Sequence, residues 1–128
     1  MIKPQNEFPL MERYKAKFPI IDHNTIFAYN GDIYTNSKLT PDLLIHENVH
    51  LEQQEKLGLD YWVDNFLESN EFRLEMELEA YKKQVDSIWE PGKRQKLCIQ
   101  CAENLSSGLY GNIITLSEAF DILIKKHD

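Results

Sequence analysis

The alternation of apolar and polar positions divides this chain into a short β region and a longer helical one. Residues 25–35 read Thr-Ile-Phe-Ala-Tyr-Asn-Gly-Asp-Ile-Tyr-Thr, two short runs of β-branched and aromatic residues around Asn30-Gly31. Asn-Gly suits a two-residue type I′ turn, so the segment predicts a hairpin. In that register Phe27 faces Tyr34 and Ala28 faces Ile33. Strands this short need another element to pack against. Residues 1–22 carry Pro4, Pro9 and Pro19 among apolar positions. They predict an irregular or extended N-terminal segment with one short helix near residues 11–17.

From residue 40 onward the pattern is helical. Thr40-Pro41-Asp42 combines an N-cap, a proline at the first helical position and an acid in the first turn. That helix is expected to run to Leu57, with Gly58 as its stop. Further helices are expected over residues 60–68, 71–88, 93–106 and 117–126, separated by Pro91-Gly92 and by Gly108 and Gly111. The reading is a single α+β domain over residues 1–128, mostly helical, with a small hairpin or sheet near the helix that starts at Thr40.

Composition narrows the function classes. The chain has 128 residues, which suffices for one domain with its own core, and 42% of them are hydrophobic, an ordinary globular share. A formal net charge of −7 with no compensating basic stretch argues against a nucleic-acid or anionic-membrane surface. No apolar run reaches the roughly 18–20 residues that span a bilayer. The N-terminus lacks the apolar core of a signal peptide. Only two cysteines are present, Cys98 and Cys101. The expected location is the cytoplasm, which is reducing.

The candidate chemistry lies in His46-Glu47-Asn48-Val49-His50. Two histidines four residues apart on a helix share one face and can grip one metal ion. Glu47 beside them can take a proton from water. Zinc suits such a set, since it accepts imidazole and carboxylate in tetrahedral geometry and lowers the pKa of water toward about 7. The competing reading is a solvated helix face.

Helical phase nominates a third ligand. Leu74, Leu78, Tyr81, Val85 and Ile88 form the apolar stripe of the helix over residues 71–88. Glu77 falls about 60° from the centre of that stripe, while Glu75 and Glu79 fall about 100° and 140° away. A carboxylate at the inward edge needs a partner. A metal is one; Arg73, one turn earlier, is another.

A His-Glu-x-x-His helix followed by a glutamate from a later helix resembles the gluzincin pattern of thermolysin-like peptidases. The stretches His46–Gln54 and Phe72–Tyr81, with Leu109-Tyr110-Gly111-Asn112, look like those of small zincin-like peptidases of tailed phages and bacteria. The similarity spans about residues 25–115. It implies a zincin-like fold with zinc held by His46, His50 and Glu77. It also implies metal-activated water attacking a peptide carbonyl, with Glu47 as general base. A phage-encoded protein would act in the host cytoplasm. Related gluzincins read Glu-x-x-Ala-Asp at the third ligand, and here Tyr81 stands in place of that Asp. An oxyanion donor beyond the metal is open among Tyr34, Tyr61, Tyr81, Tyr110 and His23. In zincins a strand above the site can bind an extended substrate by strand addition, and residues 32–36 are the candidate, beside a purely structural role.

A peptide or protein substrate is the implied partner. A chain this small leaves room only for a shallow cleft, or for one that a partner protein completes. Two other readings stay open: a non-catalytic zinc-containing binding or virion-associated module, and a zinc amidase acting on a non-peptide amide.

The remaining features are expected to be structural. Leu97, Cys101 and Leu105 form one stripe, which makes the Cys98–Cys101 pair core thiols rather than a redox or metal motif. Gln53 and Gln54 read as a solvated face, with contact to a ligand histidine as the alternative. Trp62, Phe66 and Trp89 read as core or interface, residues 60–64 also as a possible cleft wall, and His23 and His127 as isolated.

Overall fold

A computed structural model describes residues 1–125. Nine regular elements follow in order: β1 (Ile2–Lys3), α1 (Met11–Lys17), β2 (Phe27–Tyr29), β3 (Asp32–Tyr34), α2 (Pro41–Leu57), α3 (Leu59–Glu68), α4 (Asn70–Asp86), α5 (Pro91–Leu105) and α6 (Leu116–Ile124). Single turns of 3₁₀ helix lie at Gln5–Glu7 and Gly108–Tyr110. The architecture is α+β and mostly helical, with one small sheet. No helix among the described residues is long and apolar enough to cross a membrane. His127 and the expected last turn to residue 126 lie outside the described residues.

The hairpin has the expected register, with Phe27 opposite Tyr34 and Ala28 opposite Ile33. Asn30 and Gly31 both adopt positive φ, 49° and 85°, as a type I′ turn requires. The sheet order is β1-β3-β2, with β1 parallel to β3. Residues 32–34 are therefore the central strand, flanked on both sides, and are not an exposed edge for strand addition. The proline spacing in residues 1–22 gave no sign of β1, because a two-residue strand carries no periodicity and is held by its partner.

The outer edge of β2 is closed by a side chain. Gln54 of α2 donates through Nε2 to the Ala28 carbonyl at 2.8 Å, and its Oε1 accepts from the Asn30 amide at 3.0 Å. The helix thus supplies the hydrogen bonds that another strand would otherwise make.

Two apolar clusters flank α2 and α4. One joins Leu74 and Val85 of α4 to Cys98, Cys101, Ala102 and Leu105 of α5 and Ala119 and Leu123 of α6. The other joins Phe8, Tyr14, Phe18, Phe27 and Tyr34 to Trp62, Val63 and Leu67 of α3. Cys98 and Cys101 are buried and unpaired, as the apolar stripe of α5 implies. Burial pushes the Cys101 thiol up to about 12, which makes it a packing group rather than a nucleophile. Trp89 takes no part in the core: it is 86% exposed, in the loop between α4 and α5.

Between the clusters, α2 buries a polar face made of His46, Glu47, His50, Gln53 and Gln54, with Val49 as its one buried apolar residue. Such a face is stable only if its groups find partners.

Replacing Gln54 by Met keeps its bulk but leaves the Ala28 carbonyl and Asn30 amide unpaired. The variant is expected to lose about 1–3 kcal/mol of unfolding free energy, read from urea denaturation.

Candidate metal centre

α2 and α4 pack side by side, and the candidate ligands meet between them. His46 Nε2 lies 3.2 Å from Glu77 Oε1, and His50 Nε2 lies 2.5 Å from the same oxygen. The three ligand atoms all lie within 4.8 Å of one another. His46 and His50 are 6% and 5% exposed. Glu77 is the glutamate that helical phase singled out. Glu75 and Glu79 lie on exposed positions. Arg73 does not pair with Glu77 by hydrogen bond. It donates instead to the carbonyls of Phe66, Leu67 and Leu109 and to Asn70 Oδ1.

Each imidazole is oriented from behind. His46 Nδ1 meets Gln84 Oε1 at 2.9 Å, and Gln84 Nε2 donates to Asp42 Oδ2 at 2.8 Å. The Asp42 carboxylate can only accept, so the Gln84 oxygen must face the histidine. His50 Nδ1 meets Gln53 Oε1 at 2.9 Å. That oxygen also accepts from Trp62 Nε1 at 3.1 Å, while Gln53 Nε2 donates to Glu79 Oε1 and to the Met76 carbonyl. In both cases Nδ1 donates to a fixed acceptor and Nε2 points at the shared centre. The solvated-face expectation for Gln53 and Gln54 is corrected: both are buried. Their signal in the sequence was position, since Gln53 lies three residues after His50 on the same helical face.

Gln84 was not foreseen. Tyr81 packs its ring on His46 at 4.5 Å between centroids, and Gln84, one turn further along, supplies the acceptor. Glu77 has its own support, since Tyr110 donates its hydroxyl to Oε2 at 2.9 Å. Tyr110 sits at the end of the second 3₁₀ turn, stopped by Gly111 at φ 78°. A side chain at position 111 would strike Asn70, the start of α4. Of the five groups open as oxyanion donors, Tyr110 is the one bonded to a ligand. Tyr34 is packed in the apolar cluster around Phe8, Tyr61 is exposed, and His23 pairs with Asn36 in the loop before β2.

The electrostatics follow from this packing. Burial alone would raise the Glu77 carboxyl, but the His50 charge and hydrogen bonds from both imidazoles hold it well below the usual range. Burial opposes charge on His50, yet the Glu77 carboxylate more than offsets it and raises the imidazole to about 9. Glu47 is different. Burial raises its carboxyl, the two imidazoles only partly counter this, and no hydrogen bond to it is found among the described residues. It faces a cavity of about 190 Å³ lined by His46, His50 and Glu77 together with Phe18, Ile21, Ile26, Phe66 and Tyr110.

His46, His50 and Glu77 can hold a metal ion. Two imidazole nitrogens and one carboxylate oxygen converge, each with its non-ligating atom already engaged, and the cavity leaves a further coordination position open. No family model matches this chain, nor does any curated protein or solved structure.

Without metal, His50 is protonated near pH 7, and a cation must displace that proton. Metal uptake at pH 7 is therefore expected to release about one proton, and metal affinity to rise with pH until about 9. Titration calorimetry in buffers of different ionisation enthalpy measures both. Since the folded pKa of His50 lies above its ordinary 6.5, its contribution to metal-free stability is complete below 6.5 and is lost as pH rises through about 9. Separately, Glu77→Gln is expected to weaken metal binding by at least about 100-fold, while Glu75→Gln leaves it unchanged.

Proposed function

We propose that this protein is a zinc-dependent hydrolase of the amide bond, a metallopeptidase in the broad sense. The observation that carries the reading is Glu47: a largely buried carboxyl that no protein hydrogen bond claims, whose oxygens open onto the cavity beside three convergent ligand atoms. Burial raises this carboxyl, and carboxyls perturbed in a cleft beside candidate ligands are where acid–base chemistry is found. A zinc site that served only stability would be closed by a fourth protein ligand. Here the fourth direction opens on the cavity instead, which disfavours the non-catalytic module.

Zinc bound by His46, His50 and Glu77 would supply a Lewis acid that acidifies water and polarises a carbonyl. The chain does the rest. Gln84 and Gln53 fix both imidazoles in the Nε2-ligating tautomer. Tyr110 occupies one oxygen of Glu77 and leaves the other for the centre. Glu47, raised by burial, takes the proton from the attacking water and returns it to the leaving nitrogen. Apolar walls keep bulk water away from the reacting bond. The resemblance of His46–His50 and Glu77 to the gluzincin pattern points the same way.

Purified protein is expected to bind one equivalent of zinc and to hydrolyse amide substrates. Glu47→Gln should retain the zinc and lose at least about 100-fold in kcat. Turnover surviving in that variant at the parent rate would defeat the assignment, with zinc content read by elemental analysis in the same samples.

A further inference from the structure

The cavity also limits what the site can accept. Its volume is about 190 Å³. Pockets that bury drug-sized ligands run to roughly 300–1,000 Å³, and an apolar cavity of about 150 Å³ holds a molecule the size of benzene. The enclosed space holds one large apolar side chain with its adjoining amide and not a run of several residues.

Three further observations point to the same limit. First, an extended peptide would pair along a strand edge, and much of the edge here is already engaged. β3 is paired on both sides, and Gln54 occupies the Ala28 carbonyl and the Asn30 amide on β2. Second, His46 and His50 line the cavity at only 6% and 5% exposure, so a scissile bond must reach in between the walls to meet them. Third, the walls offer no partner for a charge. Apart from the histidines of the centre, Arg73 is the one basic side chain lining the cavity, and its five N–H groups are matched by five acceptor contacts within the protein. The carboxylates present, Glu47 and Glu77, belong to the reaction centre. Ile20, 76% exposed, stands at the mouth and continues the apolar lining outward.

We infer that the substrate is a compact, uncharged apolar acyl group in amide linkage, presented as a small molecule or as the end of a chain, and not the interior of an extended polypeptide. This rests on the hydrolase reading. The carbon–nitrogen bond of the amide breaks, water supplies the oxygen that joins the acyl carbon, and the proton held by Glu47 leaves with the amine.

The test uses the full chain loaded with zinc and separates binding from turnover. Trp62 lines the cavity while Trp89 is exposed, so Trp89→Phe leaves Trp62 as the single indole reporter. Three hydroxamates are titrated by fluorescence into the Glu47→Gln, Trp89→Phe protein: 4-methylpentanohydroxamate, 6-aminohexanohydroxamate, and a hexapeptide hydroxamate ending in leucine. The compact apolar probe is expected to bind about tenfold or more tighter than the cationic one, whose ammonium would lose its hydration unpaired. The peptide is expected to gain no affinity over the compact probe from its added residues. Ile20→Asp, at an exposed position, should move the preference toward the cationic probe, which ties the selectivity to this cavity. Tighter binding of the peptide than of the compact probe, equal or tighter binding of the cationic probe in the protein that keeps Ile20, or no binding of any probe, overturns the inference. Turnover is followed in parallel with the parent protein on N-acyl-leucine amides and on an internally quenched octapeptide. Faster cleavage of the octapeptide also overturns the inference. Absence of all turnover defeats the hydrolase reading alone, and the hydroxamate ranking still decides the size and charge limits.

Discussion

One carboxylate oxygen organises the interior of this protein. Glu77 Oε1 lies between the Nε2 atoms of His46 and His50 and so joins α4 to the polar face of α2. The two helices meet through a chain of matched polar groups rather than an apolar seam, with Gln84 and Asp42 behind one histidine and Gln53, Trp62 and Glu79 behind the other. The apolar clusters lie to either side, each with its own helices. Breaking one member of this chain leaves others buried without partners, so the cost of a substitution there exceeds the value of one hydrogen bond. The network is both the joint between two halves of the core and the frame of the candidate site.

Much of this was legible in the sequence, for reasons that can be stated. The helix start at Thr40-Pro41, the turn at Asn30-Gly31 and the stop at Gly58 are local signals, set by residues within one turn of each other. Glu77 was legible because a helix has a fixed period: once the apolar stripe of α4 is known, only one of the three glutamates falls near it. The same reasoning left Arg73 as a competing partner. Only the fold decides this, because the arginine is claimed by carbonyls at the end of α3 and at Leu109, which are distant in sequence.

What was not legible depends on contacts between distant segments. β1 exists because β3 is beside it. Gln84 reads as one more polar residue in a lysine-rich stretch, and its role appears only when His46 is brought opposite, 38 positions away. The exposure of Trp89 had no sequence signal, since a tryptophan is usually counted as core. Strand addition at residues 32–36 failed for a topological reason: a hairpin alone has two free edges, and the structure gives one to β1 and much of the other to Gln54.

That closure of the sheet has a meaning for the protein in a crowded solution. A small sheet with open edges is a template on which a second chain can build, the first step toward β-aggregation. Here β1, on one side, is only two residues long, and its Lys3 is held by Asp32 at 3.1 Å, so a newcomer meets a charge where it would dock. On the other side the place of a neighbouring strand is held by the amide of Gln54, fixed on a rigid helix. The helix that carries the candidate chemistry therefore also stands guard over the sheet. A change that loosened α2 would expose a sticky edge as well as disturb the site, and loss of function and loss of solubility would tend to arrive together.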